Sequence, residues 1–120
     1  MAIAQHLPIY KLAGDLTSLA ADLTKNMPRD FKRTLGEKVL TECIDVSILI
    51  FRANVAEGQG KLPFIQRILE SLQVIELMLR LAVDKHLIST GQFARAIELT
   101  DPLGRQATGW KKHAAASPAA

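Results

Sequence analysis

Residues 62–85 read LPFIQRILESLQVIELMLRLAVDK, and their spacing decides the fold. Ile65, Ile68, Leu72, Ile75, Leu79 and Ala82 recur at alternating intervals of three and four. That is the period of one face of an α-helix, in the register that suits antiparallel bundle packing. Pro63 marks the start, because a proline in the first turn gives up an N–H that would have no partner there.

The segments on either side repeat the pattern. From about residue 8 to 25, Ile9, Leu12, Leu16, Leu19 and Leu23 form one stripe behind Pro8. From about 30 to 56, after Pro28, Leu35, Val39, Cys43, Val46 and Ile50 form another. From about 90 to 112 the pattern is looser, through Phe93, Ile97, Leu103, Ala107 and Trp110. Ser89 and Gln92 have the spacing of a capping box, with Ile88 and Phe93 placed as a hydrophobic staple. Pro102 lies inside this last segment, where its ring opposes the carbonyl of Glu98. It predicts a kink, or a restart with Asp101 as N-cap. Asn26-Met27, Gly58-Gln59-Gly60 and the run from His86 to Thr90 are the connections. No segment alternates with period two, so no strand is expected. The reading is all-α: an antiparallel up-down-up-down four-helix bundle. It forms a single domain over residues 1–113, followed by an Ala/Ser/Pro tail over 114–120 with nothing to bury.

Composition agrees with this. A chain of 120 residues makes one domain. With 48% apolar and 22% charged residues it is neither disordered nor low in complexity. The uninterrupted apolar run from Ile48 to Phe51, extended back to Val46, is far too short to span a bilayer, so no membrane role is expected. The first residues, Met1 to His6, lack a basic start and an apolar stretch. A lone cysteine, Cys43, cannot form an intrachain disulfide, which fits a reducing, cytoplasmic location.

Two segments carry more apolar surface than a bundle needs. At 100° per residue, the core stripe of the second segment occupies about 80° of the wheel. Leu40, Ile44, Ile48, Phe51 and Val55 cluster about 140° further round. In the third segment Val74, Leu77, Met78 and Leu81 lie off the main stripe. Each helix of a four-helix bundle shows about half its surface to water, so a second stripe predicts a subunit interface. Leu40, Ile44, Ile48, Phe51, Val74, Leu77, Met78 and Leu81 are its candidate residues.

The search for chemistry yields little. His6, His86 and His113 lie near segment ends, and none is three or four residues from a carboxylate on a shared helix face. There is no nucleophile elbow, P-loop or dinucleotide fingerprint. Cys43 reads as a core residue, and Asp45 as part of a solvated face with Glu42 and Arg52. No catalytic residue, metal, cofactor or small-molecule substrate is expected.

The net charge is +3, and position matters more than total. Lys25, Arg29, Lys32, Arg33 and Lys38 crowd the first corner with only Asp30 and Glu37 among them. Arg80, Lys85, His86 and Arg95 fall toward the same end of an up-down bundle. Arg105, Lys111 and Lys112 form a second cluster at the opposite end. Such clusters suit sequence-independent phosphate contacts, and an oligomer would multiply them. Gly104 and Gly109, beside Trp110, suggest close helix packing.

Several stretches, in order, resemble a known family. They are Met27-Pro28-Arg29, Thr34-Leu35-Gly36-Glu37-Lys38, Ala53-Asn54, the leucine-rich third segment ending Leu87-Ile88-Ser89, Leu103-Gly104-Arg105 and Gly109-Trp110-Lys111. Over about residues 9–112 the chain resembles the accessory variability proteins of diversity-generating retroelements. It also resembles the related four-helix-bundle proteins encoded in intervening sequences of bacterial ribosomal RNA genes. The resemblance implies a barrel-shaped homopentamer without catalytic activity. It further implies binding to a reverse transcriptase and to RNA or a DNA/RNA hybrid through basic surfaces. Outside a retroelement, the same chain would be a stand-alone oligomeric interaction scaffold.

Overall fold

The computed structural model describes residues 7–118, and among these every regular element is helical. Helix α1 is Pro8–Lys25. Helix α2 has three successive parts: Arg29–Phe31, a π-helical turn at Lys32–Gly36, and Glu37–Val55. A 3₁₀ turn, Gly58–Lys61, leads into α3, Leu62–Asp84. Helix α4 is Thr90–Ala115. Helix α1 packs against α2 and α4, and α3 packs against the same two. Four helices thus surround one core.

The ends follow the sequence signals. Pro8 is the first residue of α1, and Pro63 lies in the first turn of α3. Ser89 and Gln92 close both halves of the capping box, at 3.0 and 2.8 Å. Helix α3 ends in a Schellman motif, with Leu87 N–H donating to Ala82 O at 2.8 Å and His86 N–H to Val83 O at 2.9 Å. This turn needs a left-handed residue, and His86 supplies it at φ 58°. Lys61 finishes α2 from outside, its ammonium donating to the carbonyls of Ala53, Asn54 and Ala56. The Lys61 ammonium also lies 5.9 Å from the centre of the Trp110 ring.

The expected third-helix stripe is buried throughout, as are Val39, Cys43, Val46 and Ile50 of α2. Leu35 is only half-buried. In α1 the deepest positions include Ala13 and Ala20, whereas Leu12 and Leu19 sit half-buried beside them. Small residues bring α1 close to both neighbours, and the leucines fill the flanks.

Three local expectations are corrected. Helix α4 runs through Pro102 without restarting, so Asp101 lies inside the helix and is not an N-cap. Ala114 belongs to α4 and is buried, and Gln59 Nε2 donates to Ser117 O at 2.9 Å. The start of the expected tail is therefore anchored on the loop before α3. Residues 1–6 and 119–120 lie outside the described residues. Finally, a Cβ added at Gly104 or Gly109 would meet nothing within 4 Å, so neither glycine permits a close helix approach.

Gly36 does. A Cβ there would lie 2.7 Å from Thr24 Cγ2 and 3.0 Å from Met27 Sδ. Its φ of −59° lies in the right-handed helical region open to any residue, so the demand is for space alone. Thr24 Oγ1 lies 2.7 Å from Ala20 O and 2.9 Å from Gly36 O, one proton serving both acceptors. A buried hydroxyl thus ties α1 to the π turn, whose carbonyls are displaced from the regular helical ladder.

Candidate interaction surfaces

The eight expected interface residues divide into two groups. Ile44, Ile48, Phe51, Val74, Leu77 and Leu81 are exposed, from 40% for Val74 to 59% for Leu77. Leu40 and Met78 are instead half-buried and packed on the core. Val55 joins the exposed set at the end of α2. The exposed positions lie on two helices that pack directly together. They are exposed because the core takes the other side of each helix, through Leu49, Ile50, Ile75 and Leu79. Water meets aliphatic side chains over several turns, with few charges between them.

The basic corner is built on the π turn. Lys25, Arg29, Arg33 and Lys38 are exposed, and Lys32 is half-buried. Among the described residues the single ion pair is Lys11–Asp15, at 3.6 Å, so none of the corner cations is engaged in one. Arg33 and Lys38 share an open groove of about 440 Å³ with Glu37, Thr41, Glu42, Val74 and Met78. Basic residues of α2 and apolar residues of α3, separate in the sequence reading, therefore line one surface. Of the residues placed near this end, Arg80 stacks on the Phe93 ring at 5.1 Å.

The second basic cluster lines a different groove, of about 680 Å³, between α3 and α4. Arg105, Lys111 and Lys112 border it, together with Glu76, Asp101 and several Gln and Thr side chains. Gly104 and Gly109 also line it, so their missing side chains widen this groove. Lys111 Nζ donates to Gln66 Oε1 at 2.7 Å, and Gln66 Nε2 to Glu70 Oε2 at 3.0 Å. Buried Thr100 donates to Glu76 Oε1 at 2.7 Å. This surface is mixed in charge, and one of its three cations is engaged.

Cys43 is fully buried, and burial, with a smaller contribution from the Glu42 charge, pushes its thiol up to about 12. Among the described residues no three His, Cys, Asp or Glu side chains are placed to hold a metal ion. Nor is any helix there long and apolar enough to cross a membrane.

No known protein family, no curated protein and no solved structure matches this chain. The likeness to the accessory variability proteins rests on the short motifs alone.

The sequence reading missed two features. Phe31 is an exposed ring inside the basic corner, and because it lies off every apolar stripe the helical period gives no sign of it. The other is the close contact at Gly36. A glycine between Leu35 and Glu37, just after the turn at Pro28, was the available signal.

Proposed function

We propose that this chain is a non-enzymatic accessory protein that assembles with copies of itself and binds nucleic acid on its basic ends. The observation that carries the reading is the exposed apolar stripe on each of α2 and α3: Ile44, Ile48, Phe51 and Val55 on one, Val74, Leu77 and Leu81 on the other. Fully burying a side chain of this size is worth about 1.5–3 kcal/mol, so a matching face gains strongly by covering it. A second copy offers that match, since self-association repeats the same patch.

The bundle is read as up-down-up-down and antiparallel. Thr100 meets Glu76 and Lys111 meets Gln66, so residue numbers rise along α4 as they fall along α3. Leu7, Asn54 and Trp110 line one small pocket, which puts the start of α1 beside the ends of α2 and α4. The family resemblance favours five copies, a reverse transcriptase as protein partner, and RNA or a DNA/RNA hybrid as nucleic acid. The exposed cations at Lys25, Arg29, Arg33 and Lys38 support the nucleic-acid part.

A second reading keeps the oligomer and drops the nucleic acid. It is favoured by Asp30 and Glu37, which interleave the corner cations, and by Glu42, which lines the groove of Arg33 and Lys38. Sedimentation velocity and salt-dependent RNA binding separate the two. The first reading expects an oligomer that Ile48→Asp or Leu77→Asp breaks to monomer. It also expects RNA binding that weakens with salt and is lost when Arg29, Lys32 and Arg33 become Glu. A wild-type monomer refutes both readings. An oligomer that ignores RNA at low salt leaves only the scaffold.

A further inference from the structure

We propose that Phe31 is a base-stacking platform, and that the nucleic acid bound at the first corner is single-stranded. The inference rests on the nucleic-acid reading above and names the class of strand.

Eight large apolar residues are exposed among the described residues, and seven of them lie on α2 and α3 between Ile44 and Leu81. Phe31 is the eighth, and it sits apart, at the junction of the short first turn of α2 with the π turn. Its neighbours in sequence are Arg29, Asp30, Lys32 and Arg33, so three of four are cationic. A partner that covers the ring must meet this charge. An apolar protein surface would have to desolvate the cations without pairing them. A strand of nucleic acid offers both groups the corner lacks, phosphates for the cations and a π-face for the ring.

The base must be free to leave its stack. In a duplex the π-faces are covered by neighbouring pairs, and a surface ring cannot reach them without unstacking. A single strand presents them directly. The platform is also held in place. Phe31 N–H and Lys32 N–H both donate to Pro28 O, at 3.0 and 2.9 Å. Thr34 Oγ1 donates to Asp30 O at 3.1 Å. The buried Thr24–Gly36 bond then fixes the end of the π turn. The backbone beneath the ring is ordered before any strand arrives.

The test uses fluorescence anisotropy with a labelled 20-nucleotide RNA of mixed sequence and with its duplex. Phe31→Ala and Phe31→Leu should each weaken single-strand binding by about 5- to 150-fold, the range for losing one stacked base. Phe31→Tyr should bind as wild type does, and its folding serves as the control for the other two. Duplex binding should change less than about twofold, and the salt slope should stay the same, because no charge is removed. Equal binding by Phe31→Leu and wild type overturns the proposal, since leucine keeps the apolar volume without the π-face. So does an equal loss on duplex. If wild type binds neither strand form at low salt, the nucleic-acid reading falls and this inference with it. Strong RNA binding that ignores Phe31 overturns this inference alone.

Discussion

Replacing Gly36 with alanine sets helix propensity against packing, and the distances decide the outcome. In an ordinary helix, alanine is favoured over glycine by about 1 kcal/mol. At this position the new methyl would stand 2.7 Å from Thr24 Cγ2, 3.1 Å from Thr24 Oγ1 and 3.0 Å from Met27 Sδ. Met27 can bend away, being unbranched. Thr24 cannot, because its hydroxyl is buried and held by two carbonyls. Turning it aside leaves buried polar atoms without a partner, about 1–3 kcal/mol. Moving α1 outward instead carries an overpacking strain of about 1–3 kcal/mol. Set against a propensity gain of about 1 kcal/mol, either route leaves a net loss over most of its range, so Gly36→Ala should destabilise by up to about 2 kcal/mol. Urea denaturation followed by circular dichroism, at one fixed protein concentration, measures this directly. Thr24→Ser removes the nearest carbon and keeps the hydroxyl. In that background Gly36→Ala should be close to neutral, giving a coupling of about 1 kcal/mol or more. A Gly36→Ala variant as stable as wild type refutes the reasoning, as does an equal loss in both backgrounds.

Three further outcomes are expected. His86→Gly should raise stability by about 1 kcal/mol, because glycine adopts the left-handed turn after α3 without the Cβ penalty; a loss in the same denaturation assay would show that the His86 side chain contributes more than the strain. Pro102→Ala should stabilise the fold by about 1–3 kcal/mol, since α4 continues through this position and alanine restores an N–H for the Glu98 carbonyl; a lower melting temperature would contradict this. The buried Cys43 thiol, pushed up to about 12, is neutral in the fold well above the pH at which an unfolded thiol ionises. Because the folded value is the higher one, its contribution is complete below about pH 9 and is lost as pH rises toward 12. Relative to Cys43→Ala, stability should fall in that window by up to about 1.4 kcal/mol per pH unit, and parallel pH profiles would refute the assignment.

The fold was legible where a local rule has a local cause. The stripe from Ile65 to Ala82, the prolines at 8 and 63 and the Ser89 capping box each need only neighbouring residues. The exposed face was legible for a related reason, since a wheel places Ile44, Ile48, Leu77 and Leu81 away from the core once the core stripe is set. Legibility failed where the cause lies across the fold. Whether Gly36 or Gly104 permits a close approach depends on what stands opposite, which is Thr24 for one and an open groove for the other. The stripe in α1 favoured leucine by size, but α1 packs on two neighbours, and Ala13 and Ala20 are buried beside Leu16 while Leu12 and Leu19 are left half-buried. A π turn shifts every preceding residue around the axis, and no periodicity in Lys32–Gly36 announces it.

Lys61 gives the exposed face a property that its residues do not have by themselves. One ammonium grips three carbonyls at the end of α2 and belongs to the turn that opens α3. The two helices carrying the apolar face are thereby clamped at their shared corner. A loose corner would let the halves of the face splay, and each docking event would first have to restrict them. With the corner set in advance, that loss of conformational freedom is taken during folding, and the association proposed above would gain affinity without any added contact. In the assembly proposed above, Lys61 would thus act through the corner it fixes, by keeping the two apolar stripes in one arrangement.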